Sequence, residues 1–226
     1  MAQLVNISIP AVPHLPNGGM TYEQRYQNEL NNILRLYLDR LTAALNGVTG
    51  TAGGFFLEFP HIAASDSTDQ YADGDDTPTV IAWNTEESNI GFTLGATSAL
   101  ASTYTGVYKI TYSLQFVNTD NAVHDAYVWL RINGDDVANS TTNFSIPARK
   151  SLGVPSYVCG YSEVVTTITA NDEIELYWAT DKAYNSTGPV NGVYIYAEAA
   201  QVSPYARPAI PSAIGSITFE IGRAHV

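Results

Sequence analysis

Residues 106–116, GVYKITYSLQF, alternate between apolar and polar side chains almost without a break. Tyr108, Ile110, Tyr112, Leu114 and Phe116 share one side of an extended chain, and Lys109, Thr111, Ser113 and Gln115 share the other, because successive side chains of a strand point to opposite faces. The same period recurs in AYVWLRI, where Val128, Leu130 and Ile132 alternate with Tyr127, Trp129 and Arg131. It recurs again in EIELYW, where Ile174, Leu176 and Trp178 alternate with Glu173, Glu175 and Tyr177. FFLEF, TVIAW, NIGFTL, SEVVTTI and GVYIYAEAA are further runs rich in β-branched and aromatic residues, and DGDD, NGDD, TAND and NSTGPVNG separate them with turn formers. From Phe55 onward the pattern predicts strands and turns only. Each strand has one face to bury and no amphipathic helix remains to cover it, so two antiparallel sheets stacked face to face are expected. The apolar side of residues 106–116 then meets the opposite sheet.

The period is different before Phe55. Residues 1–20 are punctuated by Pro and Gly and read as an extended arm. Thr21 is a candidate helix N-cap, with Gln24 at the capping-box position, and Asn46-Gly47 supplies a stop. Between them Leu30, Leu34, Tyr37, Leu41, Ala44 and Val48 step by four and three, a heptad seam that Ile33, Leu38 and Leu45 widen. So short a helix is marginal alone in water, and something must cover its stripe. Packing within the chain and self-association both supply a cover. The flexible stretch VTGTAGG, which detaches the helix from the strand-rich region, favours self-association through Leu30, Leu34, Tyr37, Leu41 and Ala44. The expected organisation is an arm at 1–20, a helical stalk at 21–48, a sandwich at 54–202 and a Pro-rich C-terminal extension at 203–220. The last residues, IGRAHV, resemble the in-frame translation of a common sequencing adapter. Residues 221–226 are therefore set aside, and His225 with them.

Composition narrows the function classes. The chain has 226 residues, of which 45% are hydrophobic and only 14% charged, against about a quarter charged in an average domain. Its net charge is -12 and it has no clustered cations, which argues against nucleic-acid partners and against docking on anionic lipid. The N-terminus lacks the charged and apolar regions of a secretory signal, and GGFFLEF is too short to span a bilayer, so a soluble protein made without export is expected. The single cysteine, Cys159, has no internal disulfide partner and reads as a small buried thiol beside a strand. His14, His61 and His124 fall on predicted loops without metal-ligand spacing and read as exposed. Asp73, Asp75 and Asp76, and Asp135 and Asp136, are acidic clusters in Asp-Gly-type turns. They lack the full spacing of a calcium-binding loop, so turn chemistry is the expected role. No phosphate-binding loop, nucleophile elbow or recognisable carboxylate pair is present, and no cofactor, metal or catalytic residue is expected.

The succession of GVYKITYSLQF, AYVWLRINGDDV, SEVVTTITANDEIELYW and GVYIYAE resembles the jelly roll shared by tumour necrosis factor and the globular heads of the first complement component. The resemblance covers roughly residues 70–200. It includes a corner at Ala170, Asn171, Asp172, Glu173, Ile174, Glu175 and Leu176, and a closing strand from Val193 to Ala199. It implies a mainly β protein, an antiparallel jelly-roll β-sandwich preceded by one N-terminal amphipathic α-helix, assembled as a homotrimer. A strand side carrying Thr, Ser and Gln suits the wet or inter-subunit face of such a trimer. The helix before the sandwich, and SPYARPAIPSAIGSITFE after it, are similar to structural, tail-fibre-like virion proteins of tailed phages known from marine metagenomes. That similarity implies a virion component assembled in the bacterial host cytoplasm. It would contact other virion proteins or a host surface glycan or protein, without catalysis. A capsid decoration or head-fibre protein is the nearest alternative, and a carbohydrate-active depolymerase a more distant one.

Overall fold

The computed structural model of the protein describes residues 13–15, 23–49, 59–185 and 191–220. The chain divides into two units, residues 1–58 and 59–226. The first contains α1 (Gln24–Thr49). The Gln27 N–H donates to the Glu23 carbonyl (3.2 Å), so Glu23 stands at the N-cap. Thr21, the expected cap, and most of the arm lie outside the described residues, and the helix continues two residues past Gly47.

In the second unit the strands are β1 (His61–Asp66), β2 (Thr79–Val80), β3 (Thr85–Ile90), β4 (Phe92–Leu94), β5 (Leu100–Ser102), β6 (Gly106–Asn118), β7 (His124–Ile132), β8 (Asp135–Asp136), β9 (Thr142–Ile146), β10 (Ser156–Ile168), β11 (Glu173–Thr180), β12 (Val193–Ile195) and β13 (Ala213–Phe219). One sheet has the order β10-β6-β13-β1-β3, with β12 also on β6; the other has β4-β5-β11-β7-β8, with β2 on β11 and β9 on β7. Every pairing between named strands is antiparallel. Successive strands cross repeatedly from sheet to sheet, the winding of a jelly roll. The sandwich expected from the sequence is therefore present, with one helix before it.

The alternation of β6 decides the core. Tyr108, Ile110, Tyr112, Leu114 and Phe116 are all buried, and Lys109, Thr111, Ser113 and Gln115 are half-buried on the outer side. Across the interior lie Val128, Leu130, Ile174, Leu176 and Trp178 from the second sheet. Phe116 and Trp178 meet with ring centroids 6.1 Å apart, inside the range at which aromatic pairs attract beyond their buried area.

Several boundaries differ from the sequence-based expectation, each for a physical reason. The sandwich does not stop at residue 202. Ala213–Phe219, expected within a C-terminal extension, form β13 between β1 and β6. Its inward positions are Ala213, Gly215 and Ile217, and a Cβ on Gly215 would lie 2.7 Å from Trp83 Cη2. The Trp83 ring supplies the bulk that this strand lacks, so the hydrophobic signature of a central strand is absent from its own sequence. NIGFTL is not one strand. Gly91, at φ 73°, breaks it into β3 in one sheet and β4 in the other, a backbone conformation that favours glycine. TVIAW and GVYIYAEAA shrink to β2 and β12, while FFLEF lies outside the described residues apart from Phe59. The turn at Asn133-Gly134 has positive φ at both residues (54° and 84°) and joins β7 to β8, as a two-residue hairpin requires.

Candidate functional site

The sandwich has two dissimilar ends. The Phe219 N–H donates to the Pro60 carbonyl (3.0 Å) and the Glu220 N–H to that of Val107 (2.9 Å), so the chain enters the sandwich where β6 begins. The segments after Asp66, Asn118, Ile146 and Thr180 gather at the opposite end, because β1, β6, β9 and β11 all run toward it.

At that far end the structure joins segments distant in sequence. Gln70 and Ile195 exchange backbone hydrogen bonds of 2.8 and 2.9 Å, the Tyr184 N–H donates to the Val193 carbonyl (3.1 Å), and the Val193 N–H donates to that of Lys182 (2.8 Å). These ties bring three tyrosines together. Tyr71 stacks on Tyr184 (5.5 Å between centroids, 29° between planes) and on Tyr194 (5.4 Å, 28°), while Tyr194 leads to Tyr196 and Tyr196 to Tyr157. Burial and the neighbouring Asp69 charge push the Tyr71 and Tyr194 phenols up, so both are neutral donors at ordinary pH.

Beside the tyrosines lies the DGDD turn. Asp75 fixes it, with Oδ2 paired to Lys182 Nζ at 3.0 Å and Oδ1 accepting from the Ala183 N–H at 2.8 Å. The bond from Ala183 and then that from Lys182 hold the Asp75 carboxyl below the usual range. The Asp73 N–H donates to Thr79 Oγ1 (2.9 Å), and its carboxylate has no partner among the described residues. Between turn and tyrosines is a cleft of about 510 Å³, lined by Tyr71, Asp73, Asp75, Lys182, Tyr184 and Asn185. The described residues include no group of three or more His, Cys, Asp or Glu side chains placed to hold a metal ion. Asp136, in the other acidic turn, accepts from Arg131 Nε (2.6 Å) and Trp129 Nε1 (2.7 Å).

His124 is not an exposed loop histidine. It begins β7, is 9% exposed, and sits between Asp181 Oδ2 (3.1 Å from Nδ1) and Asp120 Oδ2 (3.0 Å from Nε2). Carboxylates only accept, so both ring nitrogens donate and the ring is an imidazolium. Burial pushes its pKa down, but the bonds and charges of Asp120 and Asp181 outweigh burial and raise it. A histidine with both nitrogens donating has no lone pair with which to act as a base. His61 also differs from expectation. It lies on β1, with Nδ1 donating to the Phe59 carbonyl at 2.8 Å and Nε2 hydrogen-bonded to Ser88 Oγ at 2.9 Å. His14 is exposed. Cys159 is exposed as well. Its neighbours Val158 and Gly160 face the core and Cys159 faces out, with Ser113 Oγ 3.3 Å from its sulfur.

Of the residues expected to mediate self-association, Leu30, Tyr37, Leu41 and Ala44 are half-buried and Leu34 is 37% exposed. No helix side chain described is buried, and Leu36, Leu38 and Leu45 are exposed. The outer face of the first sheet carries a second apolar set. Tyr161 of β10, Ser113 of β6 and Ile214 of β13 share a row across the strands, and Tyr157, Val165 and Val107 lie on the same side. All of these except Ser113 are exposed, and the charged groups among them, Lys109 and Glu163, pair at 3.3 Å.

No protein-family model and no curated protein matches the chain. Among solved structures, the chain is similar to the TNF Eiger of S. frugiperda, with 12% identity, a TM-score of 0.43, and coverage of 74% of this chain and 98% of that one. It is also similar to murine APRIL, with 13% identity, a TM-score of 0.43, and coverage of 72% and 100%. The jelly-roll assignment rests on the strand order and register described above.

Proposed function

We propose that the chain is a non-catalytic, homotrimeric structural protein of a tailed-phage virion, borne on the tail or a fibre, that attaches to the host surface or builds the particle. Its assembly would take place in the bacterial host cytoplasm. The carrying observation is the α1 stripe of Leu30, Leu34, Tyr37, Leu41 and Ala44 on a helix with no buried side chain described. The flanking positions Ile33, Leu38 and Leu45 make that stripe wider than a two-helix seam uses, and a third helix covers the excess. The outer side of β10, β6 and β13 supports the same reading, because a patch with exposed apolar side chains and the Lys109–Glu163 pair suits contact with sister subunits. Attachment is supported by the position of the tyrosine cleft at the end opposite to where the chain enters the sandwich. Three copies would present three clefts and bind by avidity.

Multi-angle light scattering of the full chain tests assembly. The expected mass is three times the chain mass of 24.4 kDa, and a monomer at micromolar concentration would refute the stalk. Immunogold labelling of particles separates tail from head. Label on the capsid would favour a decoration protein.

A further inference from the structure

We infer that the cleft between Tyr71, Tyr184 and the DGDD turn is a binding site for a neutral saccharide of one or two rings. The inference rests on the attachment reading and deepens it. A pyranose ring presents a flat patch of C–H bonds on one face and hydroxyls around its rim, and the cleft matches both. Tyr71 is 46% exposed and is backed by Tyr184 and Tyr194, so a rigid aromatic surface is in place before binding and little side-chain entropy is lost. The Asp73 carboxylate beside it is a strong acceptor without a partner among the described residues, suited to a pair of adjacent hydroxyls. The cleft, at about 510 Å³, falls within the range of small-ligand sites.

Charge selects among sugars. Asp69, Asp73 and Asp75 surround the tyrosines, while Lys182, the cation of the cleft, is neutralised by Asp75. A sulfated, uronic or sialylated glycan would meet repulsion there. The half-buried aromatic pair Trp129 and Tyr177 is a poorer platform, because the Arg131 guanidinium lies 4.0 Å from the Tyr177 ring centroid and covers it.

The test uses the full chain and, as probes, the methyl glycosides and disaccharides of glucose, galactose, mannose and N-acetylglucosamine. Binding is followed by saturation-transfer NMR and calorimetry. At least one probe should bind. Tyr71→Ala should weaken that binding by at least about tenfold, as truncating a central aromatic anchor does. Tyr71→Phe should retain it and Asp73→Asn should weaken it, with circular dichroism confirming that each variant is folded. Absence of binding across the panel overturns the proposal. So does equal binding by Tyr71→Ala and Asp73→Asn, which would put the sugar elsewhere. Displacement of the sugar by a tetralysine peptide at equal concentration also overturns it, in favour of a basic peptide. Light scattering on the same samples reports assembly separately, so a trimer without sugar binding would sink this site and leave the trimer standing.

Discussion

Leu114→Ala probes the packing on which the fold depends. Leu114 is fully buried at the centre of β6, and the substitution deletes three carbon atoms from the interior. At about 0.8 kcal/mol per buried carbon, the transfer loss is about 2.4 kcal/mol. Its neighbours belong to two sheets held by backbone ladders and cannot close the gap fully. A residual cavity of about 50 Å³ at roughly 24 cal/mol per Å³ adds about 1.2 kcal/mol. The expected destabilisation is therefore about 3.5 kcal/mol, within the ~2–5 kcal/mol range of such truncations. For a domain of this size that lowers Tm by about 7–14 °C, at roughly 2–4 °C per kcal/mol. The control is Gln115→Ala, one residue along and on the outer face, expected to stay within about 0.5 kcal/mol. Both are measured by thermal circular dichroism and urea denaturation at one protein concentration, since assembly couples to stability. If the two variants melted together, the two-layer interior would be wrong.

Three further outcomes rest on named contacts. Gly215→Ala should cost about 1–3 kcal/mol, because the added Cβ overpacks against Trp83; an unchanged urea midpoint and tryptophan fluorescence would contradict the close approach. His124 has a raised pKa in the folded state, so its contribution is complete below the unfolded value of about 6.5 and fades as pH rises through the folded value. The wild-type Tm should accordingly fall as pH rises above about 6.5, and His124→Gln should flatten that slope; parallel profiles would show that the imidazolium is not the cause. Leu34→Asp, placing a charge in the helix seam, should reduce the proposed trimer to lower-mass species in light scattering while leaving the β-sheet spectrum intact; an unaltered mass would remove Leu34 from the interface.

What the sequence revealed depended on whether one chain segment carried its own pattern. In β6, β7 and β11 one face is buried and the other is not, so the two-residue period shows directly. β13 is equally central, but its inward positions are small and the volume is filled by Trp83 from 132 residues earlier in the numbering. NIGFTL read as one strand because a hydropathy pattern carries no record of a change of sheet, although its glycine marked the break. The tyrosine cleft was legible only in pieces. DGDD and NSTGPVNG were visible as turns, but backbone pairing between residues 70, 184 and 193–195 is what makes neighbours of Tyr71, Tyr184 and Tyr194. His124 was misplaced for the same reason, since Asp181, one of its two partners, arrives from the end of β11.

The insertion of β13 between β1 and β6 has a consequence for biogenesis. While the polypeptide is being synthesised, β1 and β6 are made first, yet the strand that joins them begins only at Ala213, well after β6 has ended at Asn118. Until then the nascent sheet has two bare flanks with unsatisfied amides, the kind of edge that recruits foreign strands. The sandwich should therefore close only once β13 has been made and has taken its place between β1 and β6. A premature stop just before Ala213 would yield insoluble product where a cut just after Glu220 would not.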